Sequence, residues 1–463
     1  MKKLPPPLPG LFQLLLAAML AFTVATVPAA ESTNAVARKS PEWLKKSVVY
    51  EIFPRNFSQA GDFNAITTKL DELKDLGVDV VWLMPIHPIG QKVKKGTVGS
   101  PYAVRDYCAV NPDYGTTNDF KKLLAGAHTR GMKVILDIVA GHTAWDSVLM
   151  EHPAFYKQDA NGKIIPPFPD WSDVAALNYG NPELRRAMTD MLKYWVRDFG
   201  VDGFRCDVSF SVPMEYWEAA RAELEQINPE IILLADANAS PKLLAKAFNM
   251  DNSGALYSAL NRVMSGIAPA SLVNQSWVNT RQQFPEGALH LRFSDNHEDT
   301  RAVVRFGLSG ALAAQVLMLT LDGVPLFYNG MEVGDATESA DPALFEKLPV
   351  YWNASGRPPL REIYRNLIRL RKEHPAFQND TVAWLQNSAP GEVVTFLRKD
   401  DKDEFLVAVN LSSRTVAGSL EVPNDADFKV AKIDGMPTLP GSTLPEFTLG
   451  GYEWRIYRRS LGK

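Results

Sequence analysis

The stretch "MLKYWVRDFGVDGFRCDV" (Met191–Val208) decides the fold. Its first half spaces apolar residues along one face of a helix. Gly200 then sits where a helix takes a left-handed C′ residue, and the short apolar run Val201–Val208 follows. The same grammar occurs twice upstream. In "LDELKDLGVDVVWLMP" (Leu70–Pro85), Leu70, Leu73 and Leu76 stand at helical spacing before Gly77 and the run Val80–Met84. In "FKKLLAGAHTRGMKVILDIV" (Phe120–Val139), Gly131 precedes Val134–Val139. These runs are β-branched and barely alternate, as suits strands buried on both faces. Asn181-Pro182 opens the third helix as N-cap and first helical residue.

Further strands are expected at Val48–Phe53, Ile231–Ala235, Ala288–Phe293 and Val324–Tyr328. Alternating helix and strand over residues 45–376 implies a parallel sheet. A closed eight-stranded barrel and an open doubly wound sheet both fit this pattern. No Gly-rich phosphate loop follows the first strand, which weighs against a dinucleotide-binding sheet. From Phe377 to Lys463 the grammar changes. "EVVTFLRKD", "DEFLVAVNLSS", "TVAGSLEV" and "EWRIYRR" are short alternating stretches split by turn residues, and predict an antiparallel β domain.

The 463 residues are 46% hydrophobic and 22% charged, an ordinary globular mixture. With 49 basic against 53 acidic residues and a net charge of −4, no basic field exists to hold nucleic acid. Cys108 and Cys206 are too few for a disulfide scaffold or a cysteine zinc site, and both are read as buried thiols. Lys2 and Lys3 precede the apolar run Leu11–Val27 and the small residues Ala29 and Ala30. This pattern predicts a cleaved signal peptide over 1–30, since the run is short of the roughly 20 residues needed to span a bilayer. A polar linker over 31–44 follows, and no other segment is expected to span. The mature protein is expected to be secreted or periplasmic, with no membrane partner.

In a parallel barrel the chemistry gathers at the C-terminal ends of the strands. There this chain places Asp137 and His142, Arg205 and Asp207, Asp236, and the series Asp295, Asn296, His297, Glu298, Asp299. Any one alone reads as a cap or a solvated turn residue. Together they suit retaining glycoside hydrolysis, which needs a nucleophile, a proton donor and charge to stabilise an oxocarbenium-like transition state. A divalent metal site would want paired histidines at ligand spacing, which neither His142 nor His297 has.

At these residues the chain resembles glycoside hydrolase family 13, the alpha-amylase family, over about residues 45–460. The resemblance rests on "GVDVVWLMPI" (Gly77–Ile86), "SPYAVRDY" (Ser100–Tyr107), "DIVAGH" (Asp137–His142), "GFRCD" (Gly203–Asp207), "FSDNHE" (Phe293–Glu298) and "GVPLFYNGME" (Gly323–Glu332), in that order. It implies a (β/α)8 TIM barrel over 45–376, a short domain B insertion at 143–178 and a C-terminal β-sandwich over 377–463. It also implies an alpha-amylase-type hydrolase of α-glucans or malto-oligosaccharides, cleaving or transferring α-1,4-linked glucose. By resemblance Asp207 is the nucleophile, Arg205 the charge partner expected to keep it ionised, and Tyr102, His142 and His297 sugar contacts. The proton donor falls on Asp236, where the family has Glu, and the transition-state stabiliser on Glu298, where it has Asp. Gly141 stands where the family has a calcium-ligating Asn, so no cofactor is expected. The alternative is a family member that binds α-glucan without efficient turnover. Oligomeric state is left open.

Overall fold

The computed structural model describes residues 35–236, 241–353, 359–434 and 443–462. Eight parallel strands close into a barrel. They are β1 (Val49–Ile52), β2 (Val80–Leu83), β3 (Lys133–Val139), β4 (Gly203–Asp207), β5 (Ile232–Ala235), β6 (Met250–Asn252), β7 (Leu289–Arg292) and β8 (Val324–Tyr328). Each pairs with the next, and β8 returns to β1 with Leu326 opposite Val49. Closure settles the choice left open between barrel and open sheet. The expected strands are all present, but β6 was not foreseen. It is only three residues long, and two of them, Asp251 and Asn252, are polar.

The helix ends follow from the chain. Gly77 (φ 105°) and Gly200 (φ 80°) take the left-handed conformation that turns each helix into the following strand. Asn181 caps the helix Pro182–Tyr194, its side chain accepting from the Glu183 backbone N–H. Within the strands, side chains alternate between two faces. The inward set includes Val49, Val80, Trp82, Ile135, Leu234, Leu291 and Leu326, one buried cluster filling the barrel. The outward set, with Tyr50, Val81, Leu136, Phe204, Cys206 and Phe327, packs under the helices. The same alternation carries the next inward positions, Glu51, Asp137, Arg205 and Asp207, to the C-terminal mouth.

The insertion after β3 is built on a small antiparallel pair, His142–Ala144 with Val174–Ala176. The C-terminal domain has a five-stranded antiparallel sheet centred on β9 (Val393–Lys399), β10 (Asp403–Asn410) and β11 (Trp454–Ser460), and a two-stranded sheet, Val416–Ser419 with Glu446–Leu449. Strand β10 is buried along its whole length. Phe405, Val407 and Val409 join the core shared with the barrel, while Leu406 and Ala408 pack with Phe447 and Leu449 between the two sheets.

Three expectations change. The signal peptide over 1–30 lies outside the described residues, but the stretch read as a linker over 31–44 is ordered against the barrel from Ala35 onward. Ala37 N–H donates to Glu286 O at 2.8 Å, Arg38 pairs with Glu225, and Glu42–Lys45 forms a helical turn. Against the expectation that no segment beyond the N-terminal run could span, Ala302–Thr320 is long and apolar enough to cross a membrane by length and composition, with mean hydropathy 1.7. In this fold the segment is broken at Gly307 (φ 69°, ψ 176°), and Leu312, Val316, Leu317 and Leu319 beyond the break are buried in the core. Finally, Cys206 is buried, as expected of an outward residue under the helices, but Cys108 is exposed, and both are free thiols.

Candidate active site

A cavity of about 430 Å³ opens at the mouth of the barrel. That is within the usual range for small-ligand sites, about 300–1,000 Å³. Tyr102, His142, Asp207, Val208 and Glu298 line it from the barrel side. Trp171, Asp173 and Val174 line it from the insertion, Lys95 from the loop after β2, and Leu344 and Phe345 from the segment after β8. Lys95 Nζ lies 2.9 Å from Asp173 Oδ1, so one ion pair ties the β2 loop to the insertion across the cavity wall.

Arg205 is the hub beneath this cavity. It is inward-facing on β4 and 3% exposed. Nη1 donates to Asp137 Oδ1 at 2.9 Å and to Asp207 Oδ1 at 2.8 Å. Nη2 lies 2.9 Å from Asp236 Oδ2 and 3.9 Å from Glu298 Oε1. The guanidinium carbon stands 5.3 Å from the Trp82 ring centre and 5.7 Å from that of Tyr102. One cation therefore gathers four carboxylates. Burial pushes Asp207 well above the usual carboxylate range. Arg205 opposes this, and Asp236, Asp137 and Glu298 push further up. The expected contact between Arg205 and Asp207 is present, but one guanidinium shared by four acids does not hold Asp207 down. Burial likewise raises Asp137 to about 6 against the pull of Arg205 and His297.

A second layer holds Tyr102. His297, 2% exposed, has its Nδ1 on the Glu51 carboxylate and its Nε2 2.7 Å from the Tyr102 hydroxyl. Burial alone would lower His297, but the buried Glu51 beside it outweighs that and raises it to about 9. The Tyr102 hydroxyl also donates to Asp137 Oδ2 at 3.2 Å. His142, by contrast, is pushed down to about 4, chiefly by burial, and so is neutral. Its ring meets Trp171 edge-on, with centroids 5.5 Å apart.

The expected residues thus divide by depth. Tyr102, His142, Asp207 and Glu298 face the cavity. Arg205 and His297 lie one layer below with their polar atoms engaged by protein, so they position the residues above them rather than line the space. Asp236 is spent on its neighbours: Oδ2 accepts from Val208 N–H at 3.2 Å, and Oδ1 accepts from Asn252 Nδ2 at 2.6 Å. Val208 delivers that N–H from a left-handed conformation (φ 44°, ψ 45°), a strained position for a β-branched residue next to Asp207.

Residues 50–161 and 169–354 match the family description "Alpha amylase, catalytic domain". The chain belongs to the alpha-amylase family. An alpha-amylase from Lactobacillus plantarum has the same fold, with a TM-score of 0.81 at 30% identity over 90% of this chain and 100% of that one. A noncanonic maltogenic alpha-amylase, AmyB from Thermotoga neapolitana, aligns with a TM-score of 0.82 at 29% identity, covering 90% and 100%. Alpha-amylase MalA of Haloarcula japonica is 28% identical over 431 residues, 88% of this chain but 62% of its own length. The chain therefore spans less than two thirds of that relative.

Within this alpha-amylase family site, sequence reading missed Glu51, Trp82 and Asn252. Glu51 did leave a signal, a lone charge inside the apolar run Val48–Phe53. Asn252 left none, because its strand carries no apolar run. At Gly141 the residues do not fit a family calcium ligand. The carbonyl already accepts from Leu177 N–H at 3.1 Å, and an added Cβ would meet Ser211 Oγ at 2.6 Å.

Proposed function

We propose that this alpha-amylase family chain is a retaining hydrolase of α-glucans, cleaving or transferring α-1,4-linked glucose, with Asp207 as nucleophile. The observation that carries the reading is the pairing of Asp207 and Glu298 on one cavity above Arg205. Retaining enzymes use two carboxyl groups about 5–5.5 Å apart, one attacking and one exchanging a proton. Arg205 stands between the two acids, with Nη1 donating to Asp207 at 2.8 Å and Nη2 3.9 Å from Glu298. Tyr102 offers a flat face at the floor, and His142 offers a neutral ring nitrogen for a sugar hydroxyl. The excess negative charge around Arg205 suits a transition state that gains positive charge at the anomeric carbon.

The chain needs no calcium at Gly141 in this reading. Chelator should leave its melting temperature unchanged, and a sharp drop would contradict it. Export follows from Lys2, Lys3 and the run Leu11–Val27, and is tested by N-terminal sequencing of protein recovered outside the cytoplasm. Turnover is tested with maltohexaose and an activated aryl maltoside. Both should be cleaved, and Asp207→Asn should lose at least about 1,000-fold in kcat with binding of malto-oligosaccharide retained. Binding without cleavage by the wild-type protein would replace this reading with that of a glucan-binding family member.

A further inference from the structure

We propose that Glu298, at the end of β7, is the proton donor and general base of this site, and that Asp236, at the end of β5, is not. The proposal rests on the retaining reading with Asp207 as nucleophile.

Placement comes first. Glu298 lines the large cavity together with Asp207, and its side chain is 51% exposed. Asp236 does not line that cavity. It borders only a separate void of about 20 Å³ inside the barrel throat, which Glu298 also reaches, and its side chain is 16% exposed. A group that must reach a glycosidic oxygen, and later a water, has to face the space those atoms occupy.

Occupancy comes second. A carboxyl that donates a proton needs an oxygen not already committed to donors. Both oxygens of Asp236 are committed, one to Arg205 and the Val208 N–H, the other to the Asn252 amide. Among the described residues no hydrogen bond ties the Glu298 carboxylate. Its nearest charged atoms are His297 Nε2 at 3.6 Å and Arg205 Nη2 at 3.9 Å.

Side-chain length gives the same answer. The short acid stays in the throat, where it braces Arg205 and Val208. The long acid projects into the cavity. Asp on β5 and Glu on β7 therefore move the proton-exchanging role to β7, and leave Asp236 to brace Arg205 and Val208.

An Asp207 oxygen bonds to the anomeric carbon as the glycosidic carbon–oxygen bond breaks, and the Glu298 carboxyl proton passes to the departing oxygen. The Glu298 carboxylate then takes a proton from water, whose oxygen bonds to the anomeric carbon as the Asp207 ester breaks. Asp207 leaves as carboxylate, Glu298 is again protonated, and one water is consumed.

The test compares Glu298→Ala with Asp236→Asn in the full chain. Asp236→Asn preserves shape, so folding does not obscure the comparison, and circular dichroism and melting confirm both variants. Glu298→Ala should lose about 10²–10⁴-fold on maltohexaose. It should lose far less on 2,4-dinitrophenyl α-maltoside, whose leaving group needs no proton. Added azide should restore turnover of the aryl substrate and yield α-maltosyl azide. Asp236→Asn should slow both substrates by similar factors and give no azide product. Azide rescue in Asp236→Ala but not in Glu298→Ala would overturn the proposal. In parallel, wild-type protein is treated with 5-fluoro-α-maltosyl fluoride, and the peptide bearing Asp207 is weighed. An ester on Asp207 together with azide rescue at position 236 defeats the Glu298 assignment alone. No ester on Asp207 defeats the retaining reading, and the assignment with it.

Discussion

Asp207 sits among three other carboxylates with one guanidinium to share, and the charge that the proposed nucleophile role requires is disfavoured by its burial. A carboxyl whose folded pKa is raised makes the native state bind more protons than the unfolded chain, so stability falls as pH rises through that window. Asp207→Asn should therefore melt higher than wild type at pH 7.5, by at least about 2 °C. The gap should close in acid, near the unfolded carboxyl value of about 3.9. Calorimetry across pH 4–8 measures this, and a less stable variant at pH 7.5 would contradict it. The acid limb of kcat/KM should also lie above the ordinary carboxylate range, as a property of the coupled cluster rather than of Asp207 alone. His297 behaves with the opposite sign. It is raised to about 9 in the fold, so its contribution is complete below its unfolded value of about 6.5 and is lost as pH rises through about 9. Melting temperatures between pH 7 and 10 should fall in wild type and stay flatter in His297→Gln. At this scale the sequence was readable for placement, as for Asp207 and Arg205, which meet at the mouth of the barrel. Depth was not readable, because whether His297 faces a sugar or props Tyr102 depends on Glu51, which lies on the other side of the barrel seam.

At the scale of elements, β4 carries Asp207 and depends on close contact with β5. Gly203 faces Ile232 across that pair, and a Cβ on Gly203 would lie 2.0 Å from the Ile232 carbonyl oxygen. Gly203→Ala should destabilise the barrel by about 3 kcal/mol or more, since backbone rather than a flexible side chain must move. Urea unfolding measures this, and a change below about 1 kcal/mol would contradict the contact. The helix–glycine–strand units were legible because Gly77 and Gly200 each mark a boundary between two hydrophobic periods. Strand β6 was not, since Met250 is the only apolar residue in its three and pairing with β5 and β7 alone defines it.

At the scale of the whole molecule, the C-terminal domain closes the core rather than hanging from it. Arg398, fully buried on β9, donates to Thr320 O at 3.1 Å and to Ala376 O at 3.2 Å, at the end of a barrel helix. Phe405, Val407 and Val409 bury their side chains in the same core as the barrel helices. Each such residue contributes about 1.5–3 kcal/mol by burial. A chain ending at Phe377 should therefore aggregate or bind a hydrophobic dye, and a monodisperse truncated barrel with a cooperative melt would contradict this. The change of grammar at Phe377 made the second domain legible, but not its attachment. Alternation within "DEFLVAVNLSS" shows two faces without showing that both are covered.

On the proposed reading, the mouth of this barrel cleaves α-glucosidic bonds through an Asp207 ester. The most direct measurement is the anomeric configuration of the first product released from maltohexaose, followed by proton NMR before mutarotation. The α-anomer should appear first and relax to the equilibrium mixture. Initial release of the β-anomer would mean direct attack by water and would contradict the account.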